Sequence, residues 1–264
     1  MVGLKVFAPK VVLFLHAFPL NKGMFKYQFK ALEESRIPYI AVDYPGFGDA
    51  PAPLDLDPPW EVYTNYIVWR LRELGVKKII PIGVSMGGYL IFDLFKRFRD
   101  MVDSVVLVAT RAEADDEERK KQRYELAEKV LKEGKEFLIE AMLEAQTSPA
   151  TKKDPKKMAE IRCIMNEATE EGIAAALRAM AKRPDYTSLL KEMNIPTLVI
   201  AGADDEKVTP PAVVRRIAEA SNSAKFVEIP NAAHLPPIEN PEKFNEIVVP
   251  WLRNMITEGN PDCL

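Results

Sequence analysis

A serine with glycines two residues away on either side, Gly83-Val84-Ser85-Met86-Gly87, is the part of this chain best suited to covalent chemistry. It lies between a β-branched apolar run, Lys78-Ile79-Ile80-Pro81-Ile82, and a helix-like run from Gly88 to Phe95. A strand that reverses into a helix within a few residues holds the serine in a strained conformation and projects Oγ beside the positive end of the helix. The small residues on either side remove the clashes that so tight a turn creates. A hydroxyl placed this way can attack an acyl carbon, provided a base removes its proton.

The chain has only two histidines, so the search for that base is short. His234 sits in Asn231-Ala232-Ala233-His234-Leu235-Pro236, after the apolar segment Lys225–Ile229 and before the last helix-like run. A loop at the carboxyl end of a strand is where an imidazole can reach the serine. His16 also follows a strand-like run, and its loop continues Ala17-Phe18-Pro19-Leu20. An imidazole that accepts a proton needs an acid to hold its tautomer. Gly202-Ala203-Asp204-Asp205 supplies two candidates after the strand-like Thr197–Ala201, and either fits. The order Ser, Asp, His along the chain is the one expected of a strand–serine–helix turn in an α/β sheet. A tetrahedral intermediate needs fixed N–H donors. The Met86 N–H, opening the helix after Ser85, is one. The loop after Val11–Leu15 points to the Phe18 N–H as the second, with His16 fixing that loop.

These residues require a scaffold of buried strands and covering helices. Val11–Leu15, Tyr39–Val42, Lys78–Ile82, Val102–Val108, Thr197–Ala201 and Lys225–Ile229 read as strands. Met24–Ser35, Trp60–Leu74, Gly88 to about Arg99, Pro211–Ala220 and Pro241–Met255 read as helices. Continuous apolar strands alternating with helices imply a mostly parallel sheet wrapped on both faces. Arg111 to about Lys191 breaks the alternation, with helical periodicity around Tyr124–Leu131, Phe137–Leu143, Met158–Met165 and Ile173–Met180. Its opening charge run, Glu113–Lys121, reads as a solvated helix face. We therefore expect a core of residues 1–110 and 192–264 with a helical cap of residues 111–191 over the strand ends, where ligands of such sheets bind.

Composition narrows the setting. The chain has 264 residues, 47% of them apolar, with 36 Lys and Arg against 39 Asp and Glu and a formal net charge of −3. A mildly acidic chain without a basic stripe is a poor nucleic-acid binder. Val11–Leu15 is too short and wrongly flanked for a signal peptide, and no apolar run approaches a membrane span. Cys163 and Cys263 are the only cysteines, which argues against a disulfide framework and for a reducing cytoplasm. No metal-ligand cluster or phosphate loop is present, so no cofactor is expected. Scarce Gln, 21 Pro and abundant Lys and Glu lean toward a thermophilic source. Composition leaves the oligomeric state open.

The chain resembles the α/β-hydrolase superfamily over nearly its whole length. The resemblance is carried by His16-Ala17-Phe18-Pro19-Leu20, Asp43-Tyr44-Pro45-Gly46-Phe47-Gly48, Gly83-Val84-Ser85-Met86-Gly87-Gly88, Gly202-Ala203-Asp204-Asp205 and Ala233-His234-Leu235-Pro236 with Glu239 to Phe244. Its helical insertion is similar to that of the carboxylesterase and 3-oxoadipate enol-lactonase-like branch. The resemblance implies Ser85 as nucleophile, His234 as base, Asp205 as acid with Asp204 as fallback, and Phe18 and Met86 as oxyanion donors. It also implies a cofactor-independent serine hydrolase that cleaves small or medium esters through an acyl-enzyme. Lactonase, perhydrolase or haloperoxidase, and thioesterase activities share the same residues, and a small-molecule receptor on this fold is the non-enzymatic alternative. The expected pocket is apolar, with His16, Leu20, Met142, Met165 and Leu235 among its walls. Three positions depart from the family pattern. Ala17 stands where Gly is usual, Met1–Lys10 leaves room for only a shortened N-terminal hairpin, and the loop Asp205 to Pro210 is one residue longer.

Overall fold

The computed structural model describes residues 10–221 and 223–257. Six strands form one sheet in which every pairing is parallel. They are β1 (Val11–Leu15), β2 (Tyr39–Val42), β3 (Ile79–Val84), β4 (Val105–Val108), β5 (Thr197–Gly202) and β6 (Ala224–Ile229), in the spatial order β2-β1-β3-β4-β5-β6. Residues 1–9, where the shortened hairpin was expected, lie outside the described residues, as does Cys263; Cys163 is exposed.

The central strands read as unbroken apolar runs because both faces of the sheet are covered. Alternate residues of one strand enter different cores: Val11, Leu13 and Leu15 belong to one cluster, Val12 and Phe14 to the other. The first cluster holds the apolar faces of α2 (Glu61–Glu73), α3 (Met86–Arg97) and α9 (Pro211–Glu219); the second holds those of α1 (Lys26–Glu34) and α11 (Pro241–Thr257), with Ile238 of the short α10 (Pro236–Glu239). Each fully buried Leu, Ile, Val or Phe contributes about 1.5–3 kcal/mol of transfer free energy, so these two layers dominate the stability of the sheet.

Two elements differ from their sequence reading. Regular pairing of β4 begins at Val105, and Val102 makes only an isolated parallel bridge to Ile79, because Asp103 between them turns toward Lys10 at 2.8 Å. The helix expected from Met24 opens as a 3-10 turn over Lys22–Phe25, where the Asn21 side chain accepts from the Gly23 N–H at 2.8 Å, before α1 proper.

The helical stretch between β4 and β5 contains α4 (Glu117–Glu133), α5 (Glu136–Gln146), α6 (Pro149–Lys152), α7 (Pro155–Asn166) and α8 (Glu170–Ala181). Capping residues set most of its boundaries: Asp116, Ser148, Asp154 and Thr169 each accept a backbone N–H at a helix start. α4 runs against α8, joining the first and fourth long helices of the insertion. The charge run that opens the insertion is not a uniformly solvated face. Asp115 is buried, because three arginines converge on it.

Strand order brings the loops after β5 and β6 side by side. The β6 loop then folds back across the end of β5. The Ala203 N–H donates to the Ile229 carbonyl at 2.9 Å and the Asp204 N–H to the Ala232 carbonyl at 2.9 Å. A side chain at Gly202 would occupy the path of that crossing, since a Cβ there would stand 1.8 Å from the Ala233 carbonyl oxygen. Gly202→Ala is therefore expected to destabilise the protein by roughly 3 kcal/mol, read as a lower urea midpoint. An unchanged midpoint would show that the loop lifts freely.

Candidate active site

Ser85 occupies the turn between β3 and α3 with φ 54° and ψ −109°, outside the comfortable regions for an L-residue. Such a conformation costs about 1–3 kcal/mol and persists only when its surroundings enforce it. Here the Ser85 N–H donates to the Val108 carbonyl at 2.9 Å. Its carbonyl accepts from the Thr110 hydroxyl at 2.9 Å and from the Gly88 N–H at 2.9 Å. The glycines are required by contact: a Cβ on Gly87 would lie 2.2 Å from the Leu15 carbonyl oxygen, and one on Gly83 would meet Gly87 itself at 2.4 Å.

His234 is fully buried, and its Nδ1 lies 2.7 Å from Asp205 Oδ2. The other Asp205 oxygen accepts from the Val208 and Thr209 N–H groups at 3.0 and 3.1 Å, so the longer loop curls around the carboxylate. Burial alone raises the Asp205 pKa, but the neighbouring His234 and the Thr209 and Val208 amides hold it below the ordinary aspartate value. Asp204 is half-buried, and its backbone N–H is bound to Ala232; it is Asp205 that meets the imidazole. His234 Nε2 is buried and has no hydrogen-bond partner among the described residues. Ser85 and His234 line the same cavity, of about 230 Å³.

Phe18 lines that cavity too, and Met86 opens α3 next to Ser85. Among the described residues neither the Phe18 nor the Met86 N–H donates to a protein acceptor. The Met86 side chain packs into the core.

The walls of the cavity differ from the sequence expectation. Met142 lines it, as do Tyr89, Leu177 and Met180. Leu20, Met165 and Leu235 do not: each is fully buried in the cluster beneath α1 and α11, and α7, which carries Met165, packs on α5, α6 and the 3-10 turn before α1. His16 is also no wall. Its ring stacks on Tyr44 at 3.8 Å, its Nδ1 lies 3.0 Å from the Ala17 carbonyl, and its Nε2 accepts from the Tyr44 N–H at 3.3 Å. The remaining surface is not apolar, since Arg111, Arg119 and Arg123 contribute to it.

Two positioning residues escaped the sequence reading. Glu239 is buried, and one of its oxygens accepts from the N–H groups of Ala233 and Leu235, on both sides of His234, at 2.8 and 3.1 Å. Its other oxygen accepts from the Ser148 N–H and the Thr151 hydroxyl of the insertion. Gln146, the last residue of α5, accepts from the His234 N–H through its carbonyl at 3.0 Å, and its side chain donates to the Phe18 carbonyl at 2.9 Å. Glu239 had a signal, its place in the quoted motif after His234; Gln146 had none.

A profile described as the alpha/beta hydrolase fold matches residues 10–241. The chain belongs to the α/β-hydrolase family. A thermophilic esterase from Thermogutta terrifontis, solved with malate bound, is 34% identical with a TM-score of 0.90, covering 94% of this chain and 91% of that one. An enol-lactonase from Burkholderia xenovorans LB400 is 27% identical with a TM-score of 0.83, covering 93% and 92%. A Bacillus subtilis (strain 168) protein, provisionally named a 2-succinyl-6-hydroxy-2,4-cyclohexadiene-1-carboxylate synthase, is 26% identical over 262 residues, covering 94% of this chain and 92% of its own. Among the described residues no helix is long and apolar enough to cross a membrane.

Burial lowers the His16 pKa to about 4, outweighing the nearby Asp43 charge and the bond to Ala17. Below the ordinary histidine value of about 6.5 the unfolded chain binds a proton that the folded chain refuses. His16 therefore removes stability as pH falls from about 6.5 to about 4, and nothing further below that. We expect NMR to find the His16 imidazole neutral at pH 5.5; a charged ring there would overturn the assignment of its hydrogen bonds.

Proposed function

We propose that this α/β-family hydrolase cleaves carboxylic esters through an acyl-enzyme formed on Ser85. The observation that carries the reading is a buried imidazole, His234, bonded on one side to Asp205 at 2.7 Å and unpaired on the other, in a cavity it shares with Ser85. Nε2 accepts the Ser85 proton as Oγ attacks the carbonyl carbon. Negative charge develops on the carbonyl oxygen, where the N–H groups of Phe18 and Met86 receive it. The intermediate collapses, and the alcohol leaves with the proton held by His234. Water, deprotonated by the same nitrogen, then releases the acid and regenerates Ser85. Asp205 fixes the tautomer with Nδ1 protonated and stabilises the imidazolium. Hydrogen bonds of this kind are often long in a free enzyme and tighten when substrate is bound.

The likeness to an esterase at 34% identity supports ester cleavage. The likeness to an enol-lactonase supports the second reading, opening of a lactone, in which the leaving alcohol stays attached to the acyl chain. The proposed cap, residues 111–191, encloses the cavity through Met142, Gln146, Leu177 and Met180. Ser85→Ala is expected to lower kcat for p-nitrophenyl acetate by roughly 10⁴-fold or more and to abolish labelling by a fluorophosphonate. Asp205→Asn should keep the fold and lower kcat by a similar factor through the wrong imidazole tautomer. Near-wild-type turnover in a pure Ser85→Ala sample would end the proposal.

A further inference from the structure

One wall of the cavity carries more positive charge than the protein neutralises. Asp115 is the carboxylate there, and three guanidinium groups share it. Arg123 binds it through Nε, Arg183 stands at 3.4 Å and Arg119 at 3.8 Å. Two more acids stand nearby: the Glu113 side chain faces Arg216 at 3.8 Å, and Asp185, which feels the Arg183 charge, accepts from the Ala114 and Thr187 N–H groups at 2.9 Å each. Arg111 pairs with no carboxylate among the described residues. Its Nη2 donates to the Val208 carbonyl at 2.6 Å, and its Nε is buried without a partner. Arg183 lies over the Tyr89 ring, 3.7 Å from its centroid. Tyr89 registers the field: burial raises its pKa, yet Arg183, Arg123 and Arg111 together bring it below the ordinary tyrosine value.

Uncompensated charge at a partly desolvated surface is costly, and a counter-ion relieves it. The relief can come from the cavity, because Arg111, Arg119 and Arg123 line it together with Ser85 and His234. Arg123 and Arg183 are already committed to Asp115. Arg111 has a free buried Nε, and Arg119 is beyond hydrogen-bond distance of Asp115 with 43% of its side chain exposed. A guanidinium fork matches a carboxylate in shape and charge.

We propose that Arg111 and Arg119 form a carboxylate subsite, so that the ester cleaved at Ser85 carries a second, free carboxylate. The inference rests on the serine-hydrolase reading and deepens it. With about 230 Å³ available, the substrate is small, such as the monoester of a short dicarboxylic acid. Attack by Ser85 Oγ breaks the bond between the carbonyl carbon and the alkoxy oxygen. The proton passes through His234 to the alcohol, and water completes release of a dicarboxylate whose distal end never reacts.

The test compares monoethyl succinate with ethyl 4-methylpentanoate, which replaces the carboxylate by an isopropyl group of similar shape. Acid release in a pH-stat gives kcat/KM for each, and calorimetry gives the affinity for succinate. Wild type should prefer the anionic ester by roughly tenfold or more. In Arg111→Gln/Arg119→Gln the ratio should fall toward unity and succinate should bind at least tenfold more weakly; Arg119→Gln alone serves if the double variant does not fold. Turnover of the neutral ester with no preference, and no succinate binding, overturns the subsite and leaves the hydrolase reading standing. If neither ester is cleaved and a fluorophosphonate does not label Ser85, the hydrolase reading falls, and succinate binding with its loss in the variants decides the subsite alone.

Discussion

In a sheet whose strands all run one way, every strand ends on the same edge, and each residue of the candidate site uses that fact. Phe18 follows β1, Ser85 follows β3, Arg111 follows β4, Asp205 follows β5 and His234 follows β6. Strand order then decides which of them are neighbours. β1 lies beside β3, so the loop bearing Phe18 adjoins the turn bearing Ser85. β5 lies beside β6, so Asp205 adjoins the His234 loop. Three strand spacings of about 4.8 Å separate β6 from β3. The imidazole spans that gap because its loop doubles back over β5, along the path that Gly202 leaves open.

A loop that reaches so far needs anchoring from outside its own strand, and buried polar groups supply it. Glu239 holds the amides on either side of His234 and, through its second oxygen, the start of α6. Gln146 ties the His234 backbone to the Phe18 loop. The helical insertion is thus bonded to the His234 loop and to the loop that carries Phe18. Such networks fix geometry only when their members are satisfied. Gln146 Oε1 is the exception, buried without a hydrogen-bond partner among the described residues.

What the sequence made legible follows from how local each signal is. The Ser85 turn is written in five consecutive residues, and with two histidines in the chain the candidates for a base were few before any folding. The choice between Asp204 and Asp205 turns on which side chain faces the loop of another strand, and residue type cannot settle that. Met142 and Met165 both sit at helical spacing, yet one lines the cavity and the other is buried in the second apolar cluster. The difference depends on how α5 and α7 pack. Asp115 lay inside a charge run that reads as solvent-facing, and its burial follows from Arg183, which is distant in sequence. The cationic wall was hidden for the same reason: it is assembled from residues on one helix and two loops.

The two histidines show how environment turns one side chain to different ends. Both are fully buried. His16 has each ring nitrogen engaged by backbone and its face stacked on Tyr44, so a proton added to it would break a bond without gaining one. Burial is the main cause of its depressed pKa, and these bonds tie the ring to the loop that carries Phe18. His234 differs at both ring nitrogens. Its Nδ1 is held by a carboxylate that also stabilises added charge, and its Nε2 is left without a partner beside the cavity that Ser85 lines. An unpaired buried nitrogen is a cost to folding of about 1–3 kcal/mol. Folding tolerates it because Glu239, Gln146 and Asp205 leave the ring no other position, and the vacancy they enforce is what a proton acceptor requires.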